Sequence, residues 1–151
     1  MQVDIQKVTD HLSMVDYKII KGKIETPEDF EPDDVTGYTV NDNLKLSFSP
    51  AKKWIKADYE IGVNTCCKSC PEASVFFHFV FIYSVDNFEE LTSIKENTEI
   101  EVNPLLENSI AAISYSTTRG ILLTRLQGTV MSDFILPITN TNTLLNKNTS
   151  E

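Results

Sequence analysis

The segment Val75–Tyr83, VFFHFVFIY, constrains the fold more than any other part of the sequence. Successive side chains of a strand point to opposite faces of a sheet, and here both faces are apolar except at His78. A strand of this kind is typical of the centre of a sheet, where neighbouring layers cover each side. The sequence therefore predicts a central strand with a helix or another subunit over each face.

Three other segments complete the predicted sheet. Trp54–Val63 alternates apolar with polar residues, which is the pattern of an antiparallel strand with one solvent-facing side. Leu44–Phe48 alternates in the same way. Leu12–Ile24 is rich in β-branched and aromatic residues and is predicted to be a strand, although its alternation is poor.

One long helix is predicted after the strands. Asn103 is a suitable N-cap, and Pro104 fits the first helical position, where its missing N–H group is not needed. Gly120 offers a left-handed C-cap, so the predicted helix is Pro104–Thr118. At helical spacing, its predicted buried stripe is Leu106, Ile110, Ile113 and Thr117.

This order of elements predicts an α+β domain, with an antiparallel sheet of about four strands and a long helix packed on it. A chain of 151 residues buries enough surface to fold as one such domain without disulfides or metals. We assign residues 1–140 to this domain. Residues 141–151 are mostly polar and are predicted to form a flexible C-terminal tail.

The charge balance limits the possible partners. The chain has 22 acidic and 13 basic residues, and its formal net charge is −9. Nucleic-acid binding is not expected, because a phosphate backbone requires a clustered basic face. The N-terminus lacks the pattern of a secretory signal, and the longest apolar run is too short to span a membrane. We therefore expect a cytoplasmic protein that does not insert into membranes.

Residues suited to catalysis or metal binding are sparse. Cys66, Cys67 and Cys70 form one reactive cluster, in which Lys68 could lower the pKa of a thiol. A zinc site there would need a fourth ligand, and His78 is the nearest histidine. Because the cluster lies between two predicted strands, we interpret it as a hairpin turn and disfavour the metal or thiol-enzyme alternative. No catalytic residue, metal or cofactor is predicted, and the protein is not expected to be an enzyme.

The segment Ile121–Ile138 is long, apolar and nearly uncharged, with Arg125 and Asp133 as its only charged residues. It lacks a helical period and contains Gly128 and Pro137, which favours extended segments and turns. Its apolar residues exceed what one predicted helix can cover. They either close the core or form a surface that holds apolar chains.

The second alternative predicts a binding groove between this segment and the free apolar side of the sheet. Such a groove would hold a non-native polypeptide by burying apolar surface, which is worth about 25 cal/mol per Å². The candidate groove residues are Trp54, Phe76, His78, Val80, Ile121, Leu123, Leu126, Val130, Phe134 and Leu136.

The run Leu44–Asn140 resembles the SecB-type export chaperones and their SecB-like relatives. The similarity lies in the order of sheet, helix and proline-bearing apolar segment, and in one motif. The helix Pro104–Thr118 runs into the tripeptide TRG (Thr118–Gly120), and the later element is FILPITN at Phe134–Asn140. The family's second, C-terminal helix has no clear counterpart in residues 141–151.

The resemblance implies an ATP-independent holdase that binds unfolded polypeptides in protein export or quality control. It also implies a homo-oligomer, usually a tetramer built as a dimer of dimers, with the export motor ATPase as a further partner. Two alternatives stay open. The protein could be a dedicated chaperone of a single client such as an antitoxin, or an oligomeric adaptor whose own copies fill the apolar surface.

Overall fold

A computed structural model describes residues 5–94 and 99–146 of the chain. Within these ranges, four long strands precede one long helix, and short elements connect or flank them. One turn of 3-10 helix, Pro32–Asp34, lies in the acidic loop after the first strand. The elements in chain order are α1 (Ile5–Thr9), β1 (Leu12–Glu25), β2 (Val35–Ser49), β3 (Trp54–Cys67), β4 (Ser74–Val85), α2 (Phe88–Leu91), β5 (Thr92–Ile94), β6 (Ile100–Val102), α3 (Pro104–Arg125) and α4 (Asn142–Asn146).

The four long strands form one antiparallel sheet in the order β1-β4-β3-β2. β4 contains the segment Val75–Tyr83 and is hydrogen-bonded to β1 on one side and to β3 on the other. The predicted central strand is therefore confirmed. The predicted α+β class, with about four antiparallel strands and a long helix, is confirmed as well.

The structure of β1 explains why the alternation of its sequence is poor. Its pairing with β4 is interrupted at Val15 and at Ile20, each of which is an extra residue in a β-bulge. The two bulges reset the alternation, so apolar side chains return to one face and charged ones to the other. Gly22 leaves room for a neighbouring ring, because a Cβ atom there would lie 2.7 Å from Cε1 of Phe77. The residues of β1 that share the face of Phe77 are Leu12, Met14, Tyr17, Ile19, Gly22 and Ile24.

The hydrophobic core lies between the sheet and α3. We call the face of the sheet toward α3 the inner face, and the opposite one the outer face. The Tyr83 and Ser114 hydroxyls are 2.7 Å apart and join β4 to α3, while the rings of Tyr59 and Tyr115 meet edge to face. The buried inner-face residues of β3 and β4 include Ile55, Ala57, Tyr59, Ile61, Val63, Val75, Phe77, Phe79, Phe81 and Tyr83.

α3 begins as predicted but ends later. The Asn103 side chain accepts a hydrogen bond from the N–H group of Leu105 at 2.9 Å, so Asn103 is the N-cap. The helix then continues through Gly120, and it is Gly128 beyond its end that has a positive φ of 80°. Gly120 does not end the helix because Leu122 is buried in the core. That burial outweighs the weak helix propensity of glycine, a cost of about 1 kcal/mol.

The predicted buried stripe of α3 is only half right. Leu106 and Ile110 are buried, but Ile113 is 38% exposed and Thr117 is half-buried. Hydropathy gave too little weight to Ser114, which is fully buried because its hydroxyl is hydrogen-bonded to Tyr83. The buried residues of the helix are Leu106, Ile110, Ala111, Ser114, Tyr115, Thr118 and Leu122.

Part of the predicted C-terminal tail is folded. α4 lies within it and contacts α3 and β2. Leu144 is only 3% exposed and belongs to the core, so burial of this side chain fixes the segment. The rest of the predicted tail, residues 147–151, lies outside the described residues.

Candidate polypeptide-binding surfaces

The ten predicted groove residues lie on both sides of the sheet. Trp54, Phe76, His78 and Val80 belong to the outer face, because they alternate with the buried inner-face residues of β3 and β4. The other six belong to α3 and to the loop that follows it. The sheet separates the two sets, so the described structure does not bring all ten residues into one groove.

On the helix side, the predicted groove residues differ in exposure. Leu126, Phe134 and Leu136 are at most 4% exposed and belong to the hydrophobic core. Ile121 and Val130 are half-buried against that core, and Leu123 is 39% exposed. Of the six residues on this side, these three can therefore contact a ligand.

The loop of residues 126–140 is held against α3 through its backbone. The Tyr115 hydroxyl donates to the carbonyl of Pro137 at 2.6 Å, and Nε of Arg119 donates to the carbonyl of Leu136 at 2.7 Å. Arg119 also lies over the ring of Tyr115, with 5.3 Å from Cζ to the ring centroid. These contacts satisfy two carbonyl groups in a segment without regular secondary structure, and they fix the direction of its side chains.

The fixed loop presents two apolar side chains that lie in the segment predicted to line the groove but were not among the ten candidate residues. Ile135 is 61% exposed and Ile138 is 91% exposed. The sequence could have indicated the exposure of Ile135. This residue lies between Phe134 and Leu136 in an extended segment, where successive side chains point to opposite sides, so burial of its two neighbours turns Ile135 outward. We call Leu123, Ile135 and Ile138 the loop strip.

The outer face combines apolar and charged side chains. Phe76 and His78 are half-buried, Val80 is 5% exposed, and Trp54 is 37% exposed. None of these four belongs to the main core cluster. Nε2 of His78 is hydrogen-bonded to Oδ1 of Asp58 at 2.9 Å, so the histidine has a partner on the neighbouring strand.

The edge strand β1 carries a third apolar surface. Five of its side chains are between 37% and 56% exposed, and among the described strands β4 alone pairs with it. A long apolar edge strand is unusual on a monomer, because it can pair with or pack against another chain. We call these residues, Met14, Val15, Tyr17, Ile20 and Ile24, the edge strip.

The cysteine cluster lies at the end of β3 and in the turn that follows, as expected for a hairpin connection. Cys66 Sγ is 3.2 Å from the Thr39 hydroxyl, whereas Cys67, the next residue of the strand, points to the other face. The hydrogen bond between the Cys67 and Cys70 thiols raises the pKa of Cys67, and burial adds to the shift, which is opposite in direction to the lowering that Lys68 could cause. Within residues 5–94 and 99–146, no group of three metal-ligating side chains comes together.

Two buried tyrosines have strongly shifted titrations. Burial raises the pKa of Tyr59, and the hydrogen bond that its hydroxyl donates to Asp42 at 2.7 Å raises it further. Burial also raises the pKa of Tyr83 to about 12, while the contact with Ser114 lowers it slightly. Both groups lie inside the core and hold layers together, so neither is placed to act on a ligand.

No helix in the described part of the chain is long and apolar enough to cross a membrane.

Sequence comparison gives no assignment, since no protein-family model and no curated protein matches the chain. A similar solved structure is the SecB-like chaperone Rv1957 of Mycobacterium tuberculosis, in complex with a ChAD peptide from the antitoxin HigA1. The TM-score is 0.61 at 10% sequence identity, and the match covers 88% of this chain and 94% of that chain. The chain thus has the fold of a SecB-like chaperone.

Proposed function

We propose that the protein is an ATP-independent holding chaperone that binds non-native polypeptides. The loop strip carries this proposal. Leu126, Phe134 and Leu136 fix the apolar tract in the core, and the same tract turns Ile135 and Ile138 outward. Exposed isoleucines on a rigid, nearly uncharged segment provide an apolar surface that does not have to rearrange before it binds.

Holding requires burial of apolar surface and no chemistry. Each isoleucine that a client covers contributes about 1.5–3 kcal/mol, and this burial is non-directional, so clients of many sequences can bind. The formal net charge of −9 per chain favours solubility of a particle that exposes apolar surface. These features support a binding protein over an enzyme, and the SecB-like neighbour, whose structure includes a bound peptide, supports a polypeptide as the ligand.

The proposal also states that the protein is a homo-oligomer and that it acts in the cytoplasm. The edge strip on β1 is the surface where a second copy would pack, and two such dimers would form a homotetramer. The clients would be export precursors or damaged proteins in the cytoplasm, and the export motor ATPase would receive the precursors.

A second candidate function is a dedicated chaperone of one client. The observation that favours it is the antitoxin peptide in the structure of the SecB-like neighbour. A dedicated chaperone would protect its own client and leave unrelated unfolded proteins to aggregate. A general holdase would protect several of them.

The loop strip can be tested by introducing charge. We expect Ile135→Glu with Ile138→Glu to weaken client binding more than about tenfold, because two isoleucines lose their apolar contacts. The measurement is suppression of aggregation of two unrelated denatured model proteins as a function of chaperone concentration. Thermal stability should change by less than about 0.5 kcal/mol, as for other exposed positions.

Ile94→Glu is the matched control. Ile94 is 74% exposed, on the short strand β5, and the variant removes an equally accessible isoleucine from another part of the surface. It should suppress aggregation as well as the wild type does. Full suppression by the double variant would disprove the loop strip as the client surface, and absence of suppression by the wild-type protein would disprove the general holdase.

A further inference from the structure

The outer face of the sheet has a charge pattern unlike the rest of the chain. Its outward positions on the four long strands carry five lysines and four carboxylates, whereas the whole chain has a formal net charge of −9. The lysines are Lys18, Lys21, Lys23, Lys45 and Lys56, and the acids are Asp16, Glu25, Asp58 and Glu60.

Three of these lysines form one continuous wall. Lys18, Lys21 and Lys23 occupy successive outward positions on β1, and the bulge at Ile20 is what brings Lys18 and Lys21 to the same face. They pair with Val80, His78 and Phe76 of β4, respectively. We call these three residues the lysine wall, and they lie beside the partly apolar row of the central strand.

The carboxylates near this wall leave part of its charge uncompensated. Lys18 lies 3.9 Å from Asp16, and Lys23 lies 2.8 Å from Glu25. Lys21 instead lies over the ring of Phe76, with 5.7 Å between Nζ and the ring centroid. All three amino groups are on exposed residues and can turn toward a ligand.

The apolar row of β4 connects two shallow depressions. One, of about 280 Å³, is lined by Gly62, Phe76 and Glu60 and by residues 41–43 of β2, of which Asp42 is acidic. The other, of about 220 Å³, is lined by Trp54, Ile82, Lys56 and the β2–β3 turn. Trp54 and Gly62 are eight residues apart on one strand, which corresponds to about 26 Å. We call this surface, from Trp54 to Gly62 on β3 and from Phe76 to Ile82 on β4, the outer track. Its length is that of an extended peptide of about eight residues.

We propose that the outer track binds an extended acidic segment of a partner polypeptide. Apolar side chains of the segment would cover Trp54, Val80 and Ile82, and its carboxylates would face the lysine wall. A polypeptide fits better than a nucleic acid, because its carboxylates can lie on the β1 side only, away from Asp58 and Glu60 on β3. A phosphate backbone carries a charge at every nucleotide and cannot avoid these two acids. The proposal does not rest on the holding activity, because the loop strip lies on the other side of the sheet.

The chain provides its own probe for this interaction. Trp54 is its only tryptophan, is 37% exposed and lies at one end of the track, with Nζ of Lys52 5.0 Å from the centroid of its ring. A synthetic nine-residue peptide of alternating leucine and glutamate, titrated into the full-length protein, should change the fluorescence of Trp54 saturably. Added salt should weaken the binding, because it screens exposed charges.

The lysine wall is tested with two double variants of equal charge change. Lys18→Gln with Lys21→Gln should weaken peptide binding about fivefold, since each exposed ion pair contributes a fraction of 1 kcal/mol. Lys7→Gln with Lys68→Gln removes the same charge from α1 and from the turn after β3, and should leave the affinity unchanged. All four lysines are exposed, so each variant should keep the melting temperature of the wild type.

Three outcomes would overturn the proposal. The first is that the acidic peptide does not bind, or that a peptide with lysine in place of glutamate binds equally well. The second is that both double variants lose the same affinity, which would indicate a response to net charge alone. The third is that a single-stranded oligonucleotide binds more tightly than the peptide. Loss of acidic-peptide binding in the Ile135→Glu and Ile138→Glu variant would also contradict a separate site.

Discussion

At the scale of single residues, polar groups in the core determine how the layers are aligned. Tyr83 and Ser114 form a buried hydroxyl pair between β4 and α3, and Tyr59 donates to Asp42 between β3 and β2. A buried hydroxyl without a partner costs about 1–3 kcal/mol, so the first contact favours one placement of α3 on the sheet and the second favours one alignment of β3 with β2. Apolar packing alone would tolerate several placements.

The shifted pKa of Tyr83 predicts how stability depends on alkaline pH. Below pH 10 the side chain is protonated in both the folded and the unfolded state. Between pH 10 and about 12, the unfolded state ionises while the folded state keeps its proton, so stability falls as the pH rises. The fall is up to about 1.4 kcal/mol per pH unit for this group.

Tyr83→Phe isolates that contribution. At neutral pH the variant should lose about 1 kcal/mol, because the Ser114 hydroxyl loses its partner. Urea unfolding at about pH 9 and about pH 11 should then show a smaller loss of stability for the variant than for the wild type. Equal losses in the two proteins would mean that Tyr83 does not retain its proton in the folded state.

At the scale of elements, the buried face of a strand could be predicted where its residues alternate regularly, and could not where the alternation is interrupted. The patterns in β3 and β4 place the inner-face residues correctly, because period two is preserved along both strands. Val80, which is 5% exposed, is the one residue of β4 that is buried on the opposite face. In β1 the bulges at Val15 and Ile20 break the period, and their positions depend on pairing with β4, which is a tertiary contact. The presence of β1 was therefore predictable, but its faces were not.

The end of α3 and the tract after it show a second limit. Composition identified an apolar, nearly uncharged tract but could not divide it into core and surface. Leu126 and Phe134 are core because α3 and the strands lie beneath them, while Ile135 faces solvent. A charge at Leu126 would consequently unfold the protein, so that position cannot report on client binding.

Two glycine substitutions should identify where α3 ends. Gly120→Ala should stabilise the protein by about 0.5–1 kcal/mol, because the residue is helical and a Cβ atom there meets no atom within 4 Å. Gly128→Ala should destabilise it by about 1 kcal/mol, because alanine is strained at a φ of 80°. In thermal unfolding, the melting temperature should rise for Gly120→Ala and fall for Gly128→Ala. A fall for Gly120→Ala with a rise for Gly128→Ala would place the end of the helix at Gly120.

At the scale of the whole molecule, the sheet separates surfaces of different character. The inner side holds the core and ends in the loop strip, while the outer side carries lysines around an apolar row. The edge strip lies where the two sides meet, on a strand that has one neighbour within the part of the chain that the structure describes. A single chain thus leaves apolar side chains of β1 uncovered, and this distribution favours an assembly of several copies.

The last prediction concerns that assembly. The wild-type chain, of 17.1 kDa, should be a dimer or tetramer at micromolar concentration by light scattering, because a second copy would cover the exposed edge strip. Val15→Lys with Ile20→Lys places two charges on exposed bulge residues and should shift the mass toward the monomer. Ile94→Lys, on an isoleucine that is still more exposed, should keep the wild-type mass and is the control. A wild-type protein that is already monomeric would show that β1 is not covered by a second copy.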